Sequence, residues 1–175
     1  MLRGSVLQRV VISILTTVLI TAAAGCRQTQ AKTVYGVGEK VVSGPLSYNV
    51  IDASWKAQLG ESFKVRLPEQ RFLVITLSIT NGSGHDISIP FLQIEDEKGN
   101  TREELQNGEG VDNWLGMLRT VSPAQTIEGK ILFDAPLTSY RLRLPDGSQP
   151  GQEHFVWAEI PLQIDTDAPI APTVP

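Results

Sequence analysis

Cysteine occurs once in the 175 residues, as Cys26. A lone thiol forms no internal disulfide, so packing and backbone hydrogen bonds must hold everything that follows it. Histidine is nearly as scarce, with only His85 and His154. Nucleophilic catalysis needs a nucleophile, a base and an orienting group that converge, and two histidines leave few ways to build that set. Positive charge is also in deficit. Fifteen Lys and Arg face nineteen Asp and Glu, for a net charge of −4. That balance implies no basic surface of the kind nucleic acid requires. Removing the first 25 residues takes away Arg3 and Arg9 and no acid, which leaves the remainder more acidic and weakly repelled by anionic head groups. What is present is ordinary for one globular domain: 41% hydrophobic and 19% charged residues, enough for a single core.

The one long uncharged run is "VVISILTTVLITAAAG", Val10 to Gly25, placed behind Arg3 and Arg9. A basic start, an apolar middle and small residues before a cut are the layout of an export signal. As a helix at about 1.5 Å per residue it would span about 24 Å, short of the hydrocarbon core of about 30 Å. "AAGC", Ala23 to Cys26, resembles the bacterial lipobox, with Ala23 where leucine is commoner. The resemblance implies that the thiol takes a diacylglycerol, that cleavage falls before Cys26, and that the new N-terminus is open to acylation. Each buried methylene then contributes about 0.8 kcal/mol, so two or three chains anchor firmly where one is marginal. The competing readings are a plain secretory signal with a chance cysteine and an uncleaved anchor. The division expected is a signal peptide at 1–25, the lipidated cysteine and a polar tether at 26–36, a folded body at 37–164, and a proline-rich tail at 165–175, extended or disordered.

The body alternates as strands do. "RFLVITLSITN", Arg71 to Asn81, places Leu73, Ile75, Leu77 and Ile79 on one face and Thr76, Ser78 and Thr80 on the other. "LSYNVIDASW" from Leu46 behaves similarly. "TIEGKILFDAP" gathers Ile127, Ile131 and Phe133 around Gly129. "SYRLRLPDG" points Tyr140, Leu142 and Leu144 inward and Arg141 and Arg143 outward. Pro90 breaks "ISIPFLQIEDEKGN", predicting a kink or an edge, and Pro161 in "FVWAEIPLQI" predicts an edge strand. Gly99 suits the positive φ of a "DEKGN" turn. Trp55 and Trp157 are expected in the core. The only helical candidate is "VDNWLGML", Val111 to Leu118, one or two turns. Seven to nine short strands at this spacing predict an all-β fold, an antiparallel β-sandwich.

The order of these signals resembles a bacterial extracellular domain of unknown function built on the immunoprotective, immunoglobulin-like sandwich. The blocks that carry the resemblance are "VGEKVVSGPLSYNVIDA", "FLVITLSITNGSGHDISI", "LQIEDEKGNT", "SPAQTIEGKILFDAP" and "YRLRLPDG", from about Val37 to Asp146. Asn81, Pro123, Gly129, Phe133, Asp134 and Pro136 occupy the family's marked places, and Ala124 stands where glycine is usual. The resemblance implies an immunoglobulin-like sandwich in a lipoprotein or secreted protein, with no shared catalytic residues.

No motif for chemistry emerges. His85 lies in the turn "NGSGHD", whose "GSG" lacks the spacing of a nucleophile elbow. "EDEKGN" and "REELQNGEG" are acidic but read as solvated hairpin ends, the first without the alternating oxygen ligands of a calcium loop. "GEGVDN" lacks the third glycine of a dinucleotide loop. The sequon at Asn81 carries no weight in a bacterium. "WLGML" is the stretch of interest: Trp114, Leu115, Met117 and Leu118 on a long connection either form an exposed partner contact or fold back to plug one end of the sandwich. The expectation is a non-catalytic, membrane-anchored binding module of the cell envelope, without cofactor, metal or nucleic acid. It would meet the lipid bilayer through acylated Cys26 and engage an envelope protein partner. It would be held at the cell or outer membrane, facing the periplasm or exterior. The alternatives are an accessory subunit of an envelope assembly and, third, a metal-binding or hydrolytic protein.

Overall fold

The computed structural model describes residues 34–60, 63–148, 151–152 and 154–163. The expected signal peptide, Cys26, most of the expected tether and the proline-rich tail lie outside these residues. Among those described there are eleven strands and no helix: β1 (Val34–Tyr35), β2 (Lys40–Ser43), β3 (Leu46–Lys56), β4 (Phe72–Asn81), β5 (Ile87–Ile89), β6 (Gln93–Asp96), β7 (Thr101–Glu103), β8 (Arg119–Val121), β9 (Thr126–Asp134), β10 (Tyr140–Pro145) and β11 (Phe155–Ile160). One sheet runs β1-β11-β10-β6-β7, a second β2-β3-β4-β9, and β5 and β8 form a separate ribbon. All pairings are antiparallel except β1 with β11. The fold is a β-sandwich, with more and shorter strands than the sequence predicts. Val34 and Tyr35, at the end of the expected tether, already belong to it.

The core lies between the two larger sheets. β4 contributes Leu73, Ile75, Leu77 and Ile79, and β9 contributes Ile131 and Phe133, all fully buried. From β10 come Tyr140, Leu142 and Leu144. In β3 the register shifts between Val50 and Asp52, so the bulge steps over Ile51 and returns Ala53 to the interior after Leu46, Tyr48 and Val50. Tyr140 closes one corner: its hydroxyl donates to the Pro136 carbonyl four residues upstream at 3.0 Å, the tyrosine corner of immunoglobulin-like sandwiches.

Pro90 ends β5 and lets the chain change sheets, since β5 pairs with β8 while β6 joins β10. Asn81 ties the far end together. Its Nδ2 donates to the carbonyls of His85 and Val121, and its Oδ1 accepts from the Ser83 amide, so the side chain is buried and unavailable for glycosylation.

Two expectations need correction, and a third, the buried Trp157, needs refinement. β11 is not an edge: it ends at Ile160, before Pro161 would break a ladder, and β1 occupies its outer side. Trp157 is buried but on the outer face of its sheet, because the register that turns Val156, Ala158 and Ile160 inward turns its neighbours outward. Residues 111–118 form no helical turn. Asn113 and Gly116 take φ of 54° and 77°, which a right-handed helix does not allow, and Lys130 takes the backbone bonds that a helix would use.

Candidate functional site

The segment 105–118 is a strap along the open edge of β9. The Leu105 amide donates to the Leu132 carbonyl at 2.7 Å. The Lys130 amide donates to Asn113 at 2.8 Å and the Leu115 amide to Lys130 at 3.0 Å. Lys130 Nζ meets Asp112 Oδ2 at 2.7 Å. Two glycines permit this closeness. A Cβ at Gly129 would lie 2.6 Å from the Asn113 carbonyl and 2.8 Å from Leu115, and one at Gly108 would collide with the Trp114 ring. Beneath the strap, Leu59, Phe72, Val74 and Leu132 form a second apolar cluster with Leu105 and Val111. This cluster covers the outer face of β4, whose Phe72 and Val74 precede its polar stretch.

The strap divides the four apolar residues of "WLGML". Trp114 is half-buried against Gly108, and its Nε1 is buried without a hydrogen-bond partner. Leu115 is half-buried against the main core. Met117 and Leu118 face solvent at 54% and 98% exposure. The first pair fixes the strap and the second is presented by it.

The stems of the strap are joined by an ion pair that sequence reasoning missed. Glu104, placed above in a solvated hairpin end, is buried, and so is Arg119. Arg119 Nη2 lies 2.7 Å from Glu104 Oε2, with side-chain exposures of 1% and 0%. Oε2 also accepts from the Leu92 amide at 3.2 Å, while Glu104 Oε1 and Arg119 Nε and Nη1 have no hydrogen-bond partner. Burial pushes the Glu104 carboxyl above its ordinary range, against the pull of Arg119 and the Leu92 amide. The available signal was phase: Arg119 shares the inward side of β8 with Val121, where a cation requires a partner.

The outer face of the β1-β11-β10-β6-β7 sheet carries interleaved arginines and aromatics. Arg143 lies 4.0 Å over the Phe155 ring and donates to Gln93 Oε1 at 3.2 Å, and Gln93 Nε2 donates to Glu103 at 3.1 Å. Arg141 lies 5.2 Å over Trp157 and pairs with Glu95 at 2.6 Å. The histidines stand elsewhere. His85 is exposed in its turn, and exposed His154 sits 3.4 Å from one carboxylate, Asp146. Among the described residues no three His, Cys, Asp or Glu side chains group closely enough to hold a metal.

Comparison with known proteins adds fold and family. The yjhA protein of Bacillus subtilis superposes with a TM-score of 0.56 at 13% identity, over 72% of this chain and 98% of that one. The secreted protein MPT63 of Mycobacterium tuberculosis gives 0.53 at 15% identity, over 75% and 100%. The ycdA protein of Bacillus subtilis, described as a candidate lipoprotein, gives 0.53 at 12% identity, over 72% of this chain but only 39% of that longer one. No curated protein matches the chain in sequence. The family described as "Domain of unknown function (DUF4352)" matches residues 35–150.

Proposed function

The chain belongs to the DUF4352 family, and within it we propose that this protein is a non-catalytic binding module of the bacterial cell envelope, exported and held to a membrane by lipid on Cys26. The lipobox-like "AAGC" supports the anchor. The descriptions of two structural neighbours, one secreted and one a candidate lipoprotein, fit an exported protein. The observation that carries the binding role is the strap. A segment hydrogen-bonded to β9 and stapled at its stems holds Met117 and Leu118 in solvent. Apolar side chains on an immobilised backbone suit a protein partner, because little conformational entropy is lost when they are buried.

Site-specific photo-crosslinking in cells tests this reading. A crosslinker at Leu118 is expected to capture one discrete envelope protein, and Met117→Asp is expected to abolish the product without changing export. A crosslinker at Val42, an apolar residue also exposed, on β2, is expected to capture nothing. No product at 118, or the same products at 42, would contradict the role of the strap.

A further inference from the structure

We infer that residues 63–67, on the connection between β3 and β4, are a membrane-docking surface that sets its apolar side chains into the head-group layer of an anionic phospholipid bilayer. The stretch reads "FKVRL", apolar and basic residues in strict alternation. Phe63 is fully exposed, Leu67 is 72% exposed and Val65 is exposed as well. Single exposed apolar residues are ordinary, but here the fold turns Val65 and Leu67 outward together. Leu59 and Arg66 oppose each other in an antiparallel bridge. The Leu59 amide donates to the Arg66 carbonyl at 3.0 Å, and the Arg66 amide to the Leu59 carbonyl at 2.8 Å. Opposed residues share a face and successive residues alternate. Leu59 is buried in the second apolar cluster, so Arg66 follows it inward. Its guanidinium lies 5.1 Å over the Phe72 ring, and Nη1 donates to the Asn107 carbonyl at 2.7 Å. The usual order, charge out and apolar in, is therefore reversed. A slip of one residue would restore it, and the bridge and the Arg66 contacts hold the chain against that slip.

Charge selects the occupant. Residues 56–71 carry four cations, Lys56, Lys64, Arg66 and Arg71, against two acids, Glu61 and Glu69, a net +2 in a chain of net −4. This connection is thus a basic spot on an acidic protein, and Lys56, Lys64 and Arg71 are exposed on it. Apolar side chains set among cations match a bilayer surface. The ammonium and guanidinium groups meet lipid phosphates, while Phe63, Val65 and Leu67 pass between the head groups. The attraction falls off within a Debye length, so it acts on this connection when it is the part that approaches and not on the acidic remainder. A second copy of the chain fits less well, because a symmetric contact through this stretch would set the same cations against each other.

The inference depends neither on the strap's exposed tip nor on Cys26, so its failure and the failure of the proposed function are separable. The test places a photo-crosslinking amino acid at position 63 of the full chain and irradiates it with vesicles of phosphatidylglycerol and phosphatidylcholine. Mass spectrometry is expected to find the chain with one phospholipid added. Vesicles of phosphatidylcholine alone are expected to give at least about fivefold less of that adduct, and Lys64→Glu a similar reduction on the mixed vesicles. Leu67→Asp is expected to reduce it about tenfold. Both substitutions are expected to leave the unfolding temperature unchanged, because both side chains are exposed. No lipid adduct at 63 would overturn the inference. So would an equal yield on neutral vesicles, an equal lipid yield from a crosslinker at exposed Leu118, a yield indifferent to either substitution, or a product of twice the chain's mass in place of the lipid adduct.

Discussion

Ala124 holds φ at 59°, a conformation that costs a residue with a Cβ about 1–2 kcal/mol. It does so because the turn after β8 is tied at both ends. The Ala124 amide donates to the Asn81 carbonyl at 2.9 Å, and the Gln125 amide donates to the Ser122 carbonyl at 3.0 Å. The resemblance puts glycine at this place, and the φ value says why. Glycine also has more freedom to lose on folding, so the net gain is smaller than the strain relieved. Ala124→Gly is therefore expected to stabilise the fold by about 0.5–1 kcal/mol and to raise the midpoint of thermal unfolding by a few degrees. Two carboxylates contribute to the response to acid. Asp96 is held below its ordinary value first by the Asn100 side chain, then by the Asn100 and Lys98 amides. Asp112 is held below it first by Lys130. A depressed carboxyl contributes stability that is present above its unfolded pKa and is lost as pH falls through the folded one. Buried Glu104 has the opposite sign: its raised pKa favours the fold below the unfolded value and loses that contribution as pH rises through the folded one. Thermal unfolding followed from about pH 5 to about pH 3 is expected to show falling stability, with a shallower fall in Asp96→Asn.

At the scale of elements, the strap is the part most exposed to a single break. Glu104 and Arg119 staple its two stems across fifteen residues of sequence. Removing one partner strands a buried charge and costs about 3–5 kcal/mol, whereas replacing both with apolar residues restores much of the loss. Arg119→Met is thus expected to destabilise strongly and to speed proteolysis within 105–118. The double variant with Glu104→Leu is expected to recover most of the stability in denaturant titrations; additive losses would show that the two side chains do not act as a pair. The sequence made β4 plain, because its apolar and hydroxyl residues alternate without interruption from Ile75 to Thr80 and one face must be buried. It made the inward set of β10 plain for the same reason. It did not disclose the bulge in β3, since one extra residue leaves no mark in composition. Nor did it disclose β1, two residues paired with a strand more than a hundred positions away. Pro161 misled because proline excludes a ladder bond only where the strand continues. The candidate site was half legible. "WLGML" stood out by its composition, but which of its residues are buried follows from Gly108 and Gly129, which make room for them. Glu104 looked like a surface charge because only the closed fold brings it to Arg119.

For the whole molecule, the sandwich is closed by two facing sheets, a hydrogen-bonded corner and the strap, with no disulfide in a chain that has one cysteine. In the proposed reading that cysteine serves as the anchor, since the charge of an acidic body would not by itself draw it to an anionic bilayer. A short polar tether would keep the sandwich near the membrane, at most about 3.5 Å away per tether residue. A partner reached through Met117 and Leu118 would then lie in the same envelope layer. All of this depends on the mature N-terminus. Intact-mass spectrometry of the protein purified from the cell envelope reads it directly: the account predicts a chain that begins at Cys26 and carries a diacylglycerol, with or without an acyl group on the new amine. A chain with Cys26 as a free thiol, cut elsewhere or not cut at all, would contradict it.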